Sequence, residues 1–312
     1  MPILVPNGLP AYDTLSGENI FVMYKNVATK QDIRPLKIGI VNLMPIKEVT
    51  ETQLIRMLAN TPLQVDLQLL TLSTHTSKNT DPLHMENFYI TFDKIRDERF
   101  DGLIITGAPI ETLPFEEVDF WQELTEIMDY SLTNVFSTLH LCWGSQAALY
   151  HHFGIGKQTL PRKLFGVYEH NVVDKRSEFV RGFDEYFYAP HSRYTDIPHA
   201  AVVAEPRLSI LADSEDAGVH IISTTDKRML FLQGHFEYDW NTLKLEYERD
   251  IEKGLAPNIP VNYFKDDDPS KWVVMKWSSH ANLFFANWLN YVYQMTPFDL
   301  DELDRFWEAT GI

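Results

Sequence analysis

Among 312 residues there is a single cysteine, so no disulfide can form within the chain and no multi-cysteine metal site can exist. A lone cysteine in an intracellular protein is most often a small buried apolar residue. No apolar stretch approaches membrane-spanning length. The opening MPILVPNGLPAYD has neither the basic nor the apolar segment of a secretory signal. These absences point away from a membrane and towards the cytoplasm. Basic residues are scarce as well. The 27 Lys and Arg stand against 44 Asp and Glu, for a formal charge of −17, and no Lys/Arg run occurs. Nucleic-acid surfaces draw most of their affinity from phosphate contacts, so this composition argues against one. There is no repeat, no low-complexity segment and no long linker.

What is present suits an ordinary soluble fold with a substantial core: 45% hydrophobic and 23% charged residues. Four prolines punctuate residues 1–35, which read as an arm laid on a core. Alternation then begins. LKIGIVNLM (36–44), VDLQLLTL (65–72), DGLIITGA (101–108) and NVFSTLHLC (134–142) read as strands. Helical patterns over 49–59, 88–99, 115–130 and 145–152 separate or follow them. That order predicts right-handed crossovers and a mostly parallel sheet covered by helices. From about Lys163 the strand-like runs LFGVYEH, RLSILADS, GVHIIST and RMLFLQG follow one another closely, as antiparallel additions to the same sheet would. Helices are expected over 242–253 and 278–293. The whole reads as one α/β domain: an arm (1–35), an α/β core (36–297) and a tail (298–312).

The cysteine sits where an apolar strand stops, in TLHLCWGSQAALYHH. Trp143, Gly144 and Ser145 turn straight into a helical pattern. A strand-to-helix elbow exposes its tip residue beside helix N–H groups, which favour a thiolate and offer donors to an oxyanion. Gly144 permits the tight turn. The glycine usual two residues before such a nucleophile is replaced by His140. Cysteine at the carboxyl edge of a parallel strand lies where open α/β sheets bind ligands.

A thiolate acyl-transfer mechanism needs an imidazole to take and return a proton, and a carboxylate to orient that imidazole. MLFLQGHFEYDW supplies both: a strand, Gly234, His235, and Glu237 two residues on. Of the other ten histidines, His151 and His152 fall on a helix, and His84, His170, His199 and His220 lack such a setting. His191 and His280 remain alternatives for the base.

Together these segments resemble the class I glutamine-amidotransferase superfamily, through the Cys142–Gln146 elbow, Gly234–Glu237 and the ITGAP loop at Ile105–Pro109. The full-length pattern is similar to one branch, the homoserine O-acyltransferases of methionine biosynthesis. VNLMPIKEVTETQ (41–53), TGAPIETLPFEEVDFW (106–121), KLFGVYEH (163–170), APHSRYT (189–195), GHFEYD (234–239) and EYERD (246–250) carry that likeness over nearly the whole chain. The resemblance implies an acyl group passed from acyl-CoA to Cys142 and then to the hydroxyl of L-homoserine. It implies His235 as base, Glu237 as its partner, and Lys163, Ser192 and Arg249 as substrate contacts. It also implies Lys47 and Trp143 as oxyanion support. A guanidinium at Arg249 suits the carboxylate of zwitterionic homoserine, although from the residues alone it could equally pair with helix acids. No cofactor or metal is expected, acetyl-CoA being a co-substrate, and the resemblance suggests a homodimer.

Glu111 follows the ITGAPI loop. Family members using succinyl-CoA carry glycine here and those using acetyl-CoA carry glutamate, so the resemblance favours acetyl transfer. The electrostatics agree, because a succinyl carboxylate would meet a like charge. Transfer from succinyl-CoA is the alternative within the family. A glutamine amidotransferase or related Cys hydrolase is the alternative within the fold, and a non-catalytic binding protein on the same scaffold the alternative outside enzymes.

Overall fold

The computed structural model describes residues 3–5, 22–24, 34–75 and 79–310. Most of the expected arm lies outside these. Its two described stretches, β1 (Ile3–Val5) and β2 (Val22–Tyr24), pair with each other in parallel. The main sheet begins at β3 (Leu36–Val41) and α1 (Lys47–Ala59), followed by β4 (Val65–Thr71), α2 (Pro82–Phe88), β5 (Tyr89–Thr91) and β6 (Phe100–Ile105). Next come α3 (Trp121–Asn134), β7 (Val135–Leu141), α4 (Trp143–Phe153), β8 (Gln158–Val172) and β9 (Tyr186–Asp196). The chain continues through α5 (His199–Ala204), β10 (Leu208–Ser214), β11 (Gly218–Thr224), β12 (Met229–Leu232), α6 (Thr242–Glu252), α7 (Ser278–Met295) and α8 (Leu303–Thr310).

Ten strands form one sheet in the order β5-β4-β3-β6-β7-β12-β11-β10-β8-β9. The six from β5 to β12 are mutually parallel, and β11, β10, β8 and β9 add antiparallel pairings. Every residue of β6 and β7 is buried, as continuous apolar runs covered on both faces should be. One apolar layer, with Phe136, Phe284, Trp288 and Leu289, fills the side under α1 and α7. The other, with Leu103, Ile127, Met128 and Ala147, fills the side under α3 and α4.

Three expectations need correction. The helix expected over 88–99 is instead α2, capped by the Asp81 carboxylate accepting from Leu83 N, followed by β5 and a 3₁₀ turn. Tyr89, Ile90 and Thr91 are β-favouring residues and pair with Leu69–Thr71. The helix expected over 115–130 splits: Pro114 starts only a 3₁₀ turn (Phe115–Glu117), and α3 begins at Trp121. RMLFLQG is no simple antiparallel addition, because β12 lies parallel to β7 on one side and antiparallel to β11 on the other. That placement matters, since it puts the residues after β12 beside the end of β7.

Residues 298–310 are docked rather than trailing. Leu303 is fully buried, and Arg99 reaches Asp304 at 2.6 Å. Arg34 clamps the start of β3 to both β6 and the connection between α7 and α8. Its guanidinium binds both oxygens of the buried Asp101 at 2.7 and 2.8 Å, and also Pro297 O and Phe298 O.

Candidate active site

The end of β7 delivers Cys142 to the elbow. Its φ of 48° and ψ of −117° are unusual for a non-glycine residue, and they turn the chain into α4 within one residue. Backbone bonds over-determine that conformation: Cys142 N donates to Leu232 O at 2.7 Å, and Cys142 O accepts from Gln146 N at 3.1 Å. Two glycines make room around it. A Cβ on Gly144 would lie 2.5 Å from Thr106 O, so only glycine lets α4 approach the end of β6. A Cβ on Gly107 would lie 3.2 Å from Cys142 Cβ and 3.4 Å from Trp143 N. The ITGAP loop thus presses its backbone against Cys142. The side chain of Trp143 is buried beside Phe115 and Phe120, so what Trp143 offers the site is its backbone N–H.

His140 needs no glycine in its place. Its ring is buried, stacks on Phe231 at 5.0 Å and bonds through Nδ1 to Leu230 O, and burial depresses its pKa to about 3.

The residues after β12 bring the other half. His235 Nδ1 lies 2.6 Å from Glu237 Oε1, both groups are buried, and the His235 ring stacks on Tyr238 at 4.1 Å. Burial alone would depress the His235 pKa. The charge that Cys142 carries as a thiolate, its hydrogen bond to the ring, and the Glu237 carboxylate outweigh burial and hold the pKa well above the ordinary value. The structure therefore brings Cys142, His235 and Glu237 together, from the ends of two adjacent parallel strands.

Of the alternatives for the base, His191 is fully buried and its two ring nitrogens face Arg193 Nε (3.4 Å) and His170 Nε2 (3.0 Å). It belongs to a cluster with His170 and His220 whose ring nitrogens lie within 4.8 Å of one another. His220 Nδ1 accepts from Gly234 N at 3.1 Å, and His170 Nδ1 faces Tyr168 O at 3.0 Å. N–H donors facing Nδ1 of His191 and His220 place the protons of these neutral rings on Nε2, which opposes metal ligation through those atoms. The cluster packs against Gly234, where a Cβ would lie 2.7 Å from His191 Nε2. His280 stacks near Phe183 and Phe187 and pairs with Asp184 at 3.4 Å.

Lys163 on β8 and Ser192 on β9 converge on one acidic group that sequence reading did not single out, and Arg249 on α6 pairs with the acid beside it. Glu246 Oε2 accepts from Ser192 Oγ at 2.5 Å and Lys163 Nζ at 3.3 Å, and Oε1 accepts from Tyr238 OH at 3.3 Å. Tyr238 in turn stacks on His235, so this network abuts the dyad. Lys163 also lies 3.6 Å from Asp250. Arg249 turns Nε and Nη2 onto Asp250 Oδ1 at 2.9 and 2.7 Å, the pairing with a helix acid that its surroundings allowed. The signal for Glu246 was present in EYERD, but an acid on a charged helix looks like any solvated one.

Lys47 heads α1 against the dipole. It is buried, donates to Asn42 O at 2.5 Å and Met44 O at 3.4 Å, and burial lowers its pKa to about 8 despite Glu51 and Glu48. Here it braces the loop after β3. Glu111 lies in the turn after β6 and is partly buried. Burial lowers the pKa of the Lys157 amine, which donates to Leu113 O at 2.6 Å, to about 8, and the charges of Glu111 and Glu116 oppose that shift. Among the described residues no helix is long and apolar enough to cross a membrane.

A model of the homoserine O-succinyltransferase family matches residues 2–298. The chain is 56% identical to the homoserine O-acetyltransferase of Acetivibrio thermocellus over 304 residues, covering 97% of this chain and all of that one. It is 56% identical to the enzyme of the same name from Brevibacillus brevis over 306 residues, covering 98% of this chain and all of that one. Among solved structures it is similar to a glutamine amidotransferase of Thermotoga maritima. That match has a TM-score of 0.55 and 14% identity, and covers 83% of this chain and 99% of that one. A glutamine amidotransferase of Methylobacillus flagellatus gives a TM-score of 0.52 and 13% identity, covering 83% and 95%. The expected fold is therefore borne out as the glutamine-amidotransferase type, and by its full-length match the chain belongs to the homoserine O-succinyltransferase family.

Proposed function

We propose that this chain transfers an acetyl group from acetyl-CoA to the hydroxyl of L-homoserine through a thioester on Cys142, giving O-acetyl-L-homoserine for methionine biosynthesis. The observation that carries the mechanism is the buried His235–Glu237 pair, 2.6 Å apart, set against a cysteine at a strained elbow. In the first half-reaction the Cys142 sulfur attacks the thioester carbonyl. The new S–C bond replaces the C–S bond to CoA, and the CoA thiolate leaves with the proton that His235 gives up. This reading assigns the oxyanion to backbone N–H groups next to Cys142, that of Trp143 at the start of α4 and that of Gly107 in the loop packed against it. In the second half-reaction neutral His235 takes the homoserine hydroxyl proton as that oxygen attacks the acetyl carbon. The Cys142 thiolate is then released and the pair restored.

Homoserine lies on the β8–β9–α6 side. Glu246, already the partner of Ser192 and Lys163, suits its ammonium, and the Arg249 guanidinium keeps Nη1 for its carboxylate. The same reading takes the enzyme to be a cytoplasmic homodimer that acts on small molecules with no cofactor or metal. Lys47 braces the loop beside the site, and its amine supports the oxyanion only through that loop.

The family model and the relatives above carry different acyl names, and this reading takes Glu111 as the residue that separates the two donors. A succinyl carboxylate beside Glu111 would set like charges together in a partly dry turn. Because Glu111 is only partly buried, solvent keeps the penalty near about 2 kcal/mol, or roughly 30-fold. A CoA-release assay should thus show acetyl-CoA preferred over succinyl-CoA with L-homoserine. Glu111→Gly should raise the succinyl-to-acetyl ratio of kcat/KM by about 10- to 100-fold. A wild-type preference for succinyl-CoA, or an unmoved ratio in the variant, would leave Glu111 as an ordinary turn acid.

A further inference from the structure

The strand order reverses between β3 and β6. β4 and β5 extend the sheet beyond β3, while β7 and β12 extend it beyond β6. In open α/β sheets the crevice past the carboxyl ends of the strands at such a reversal is a preferred ligand site. A cavity of about 390 Å³ lies at this point. Its walls are Met44 after β3, Leu72 after β4, Ala108 and Ile110 after β6, and Phe120 ahead of α3, with Lys47 among them. The volume is that of a small-molecule site, and the lining has an apolar majority interrupted by polar groups, among them Asn42, Lys47, His75, Glu117 and Asp119.

The cavity and the nucleophile share one wall. Gly107 presses against Cys142, and Ala108, the next residue, already lines the cavity. The network of Lys163, Ser192, Glu246 and Arg249 comes from β8, β9 and α6, at the other end of the strand order. Cys142 at the end of β7 therefore stands between two sites of different character, one dominated by ionic groups and one by an apolar majority with scattered polar groups. An amino acid suits the first. The second suits a slender chain of methylene groups interrupted by amides. Lys47 can serve one amide carbonyl, since its ammonium has three donors and two are committed to Asn42 O and Met44 O.

We infer that this cavity receives the pantetheine arm of the acyl-CoA donor and leads its thioester past Ala108 to Cys142. The inference rests on the acyl-CoA reading above and adds where the donor lies. Met44→Trp would fill a partly buried part of the cavity, and Leu113→Trp would fill its mouth, where Leu113 is 42% exposed and the fold tolerates change. The measurement compares kcat/KM for acetyl-CoA with that for S-acetyl-N-acetylcysteamine, which carries the thioester but only the first amide of the arm. The ratio should fall by about tenfold or more in each variant, the scale on which occluded pocket contacts discriminate. An unchanged ratio in both, or equal loss with both thioesters, would place the arm elsewhere. A wild-type protein that acetylates homoserine from neither thioester would instead overturn the acyl-CoA reading, and this inference with it.

Discussion

Cys142→Ala should abolish homoserine acetylation, with kcat falling by about 10⁴-fold or more, the scale seen when a covalent nucleophile is removed. The wild-type protein incubated with acetyl-CoA and no homoserine should gain one acetyl mass, and the variant should gain none. Peptide mapping is unambiguous because the chain has no second cysteine. Cys142→Ser should also fall far below the wild type, since a serine hydroxyl is not ionised near neutral pH and is a much poorer nucleophile than a thiolate. A Cys142→Ala enzyme turning over at ordinary rates would remove the thioester from the mechanism altogether.

His235→Ala should lower kcat by about 10³- to 10⁴-fold, because it removes both the donor to CoA and the base for homoserine. Glu237→Gln should hurt less, by about tenfold or more, since it leaves the imidazole in place. The pH dependence carries a sign. Two negative neighbours, the thiolate and Glu237, raise the His235 pKa in the free enzyme. Acetylation neutralises one of them, so His235 must titrate lower in the acyl-enzyme than in the free enzyme, and it becomes a neutral base there. The acidic limb of the homoserine half-reaction should accordingly lie below the His235 midpoint of the free enzyme. Glu237→Gln removes the second negative charge and should move both midpoints further towards acid. Pre-steady-state deacylation rates against pH, beside NMR titration of the imidazole, would test this. A limb at the same pH in both forms would mean that the charge on Cys142 does not set the base.

The parallel half of the fold was legible because its strands are continuous apolar runs closed by Gly, Pro or a polar turn, and β6 and β7 are buried throughout. The Cys142 elbow and the GHFE segment were legible because each carries its chemistry within five residues. What escaped sequence reading is non-local. Nothing in MLFLQ says that its strand lies parallel to β7, yet that pairing is what brings His235 to Cys142. Glu246 looks like a helix surface acid until β8 and β9 place Lys163 and Ser192 on it. His191 could be set aside as a base only once Arg193 and His170 were seen at its two nitrogens. The helix expected over 88–99 failed because edge strand β5 is three residues long, too short for a period to show.

The positive φ of Cys142 has a consequence for how this protein can change. A backbone conformation that glycine adopts freely is held here by the one side chain the chemistry cannot lose, at a cost of about 1–3 kcal/mol. Cys142→Gly would release that strain, and the inactive protein should be the more stable one. Selection for thermal tolerance alone would drift towards a dead scaffold at this position. Only selection for turnover keeps the cysteine, so hardening this enzyme by directed evolution calls for an activity readout in every round.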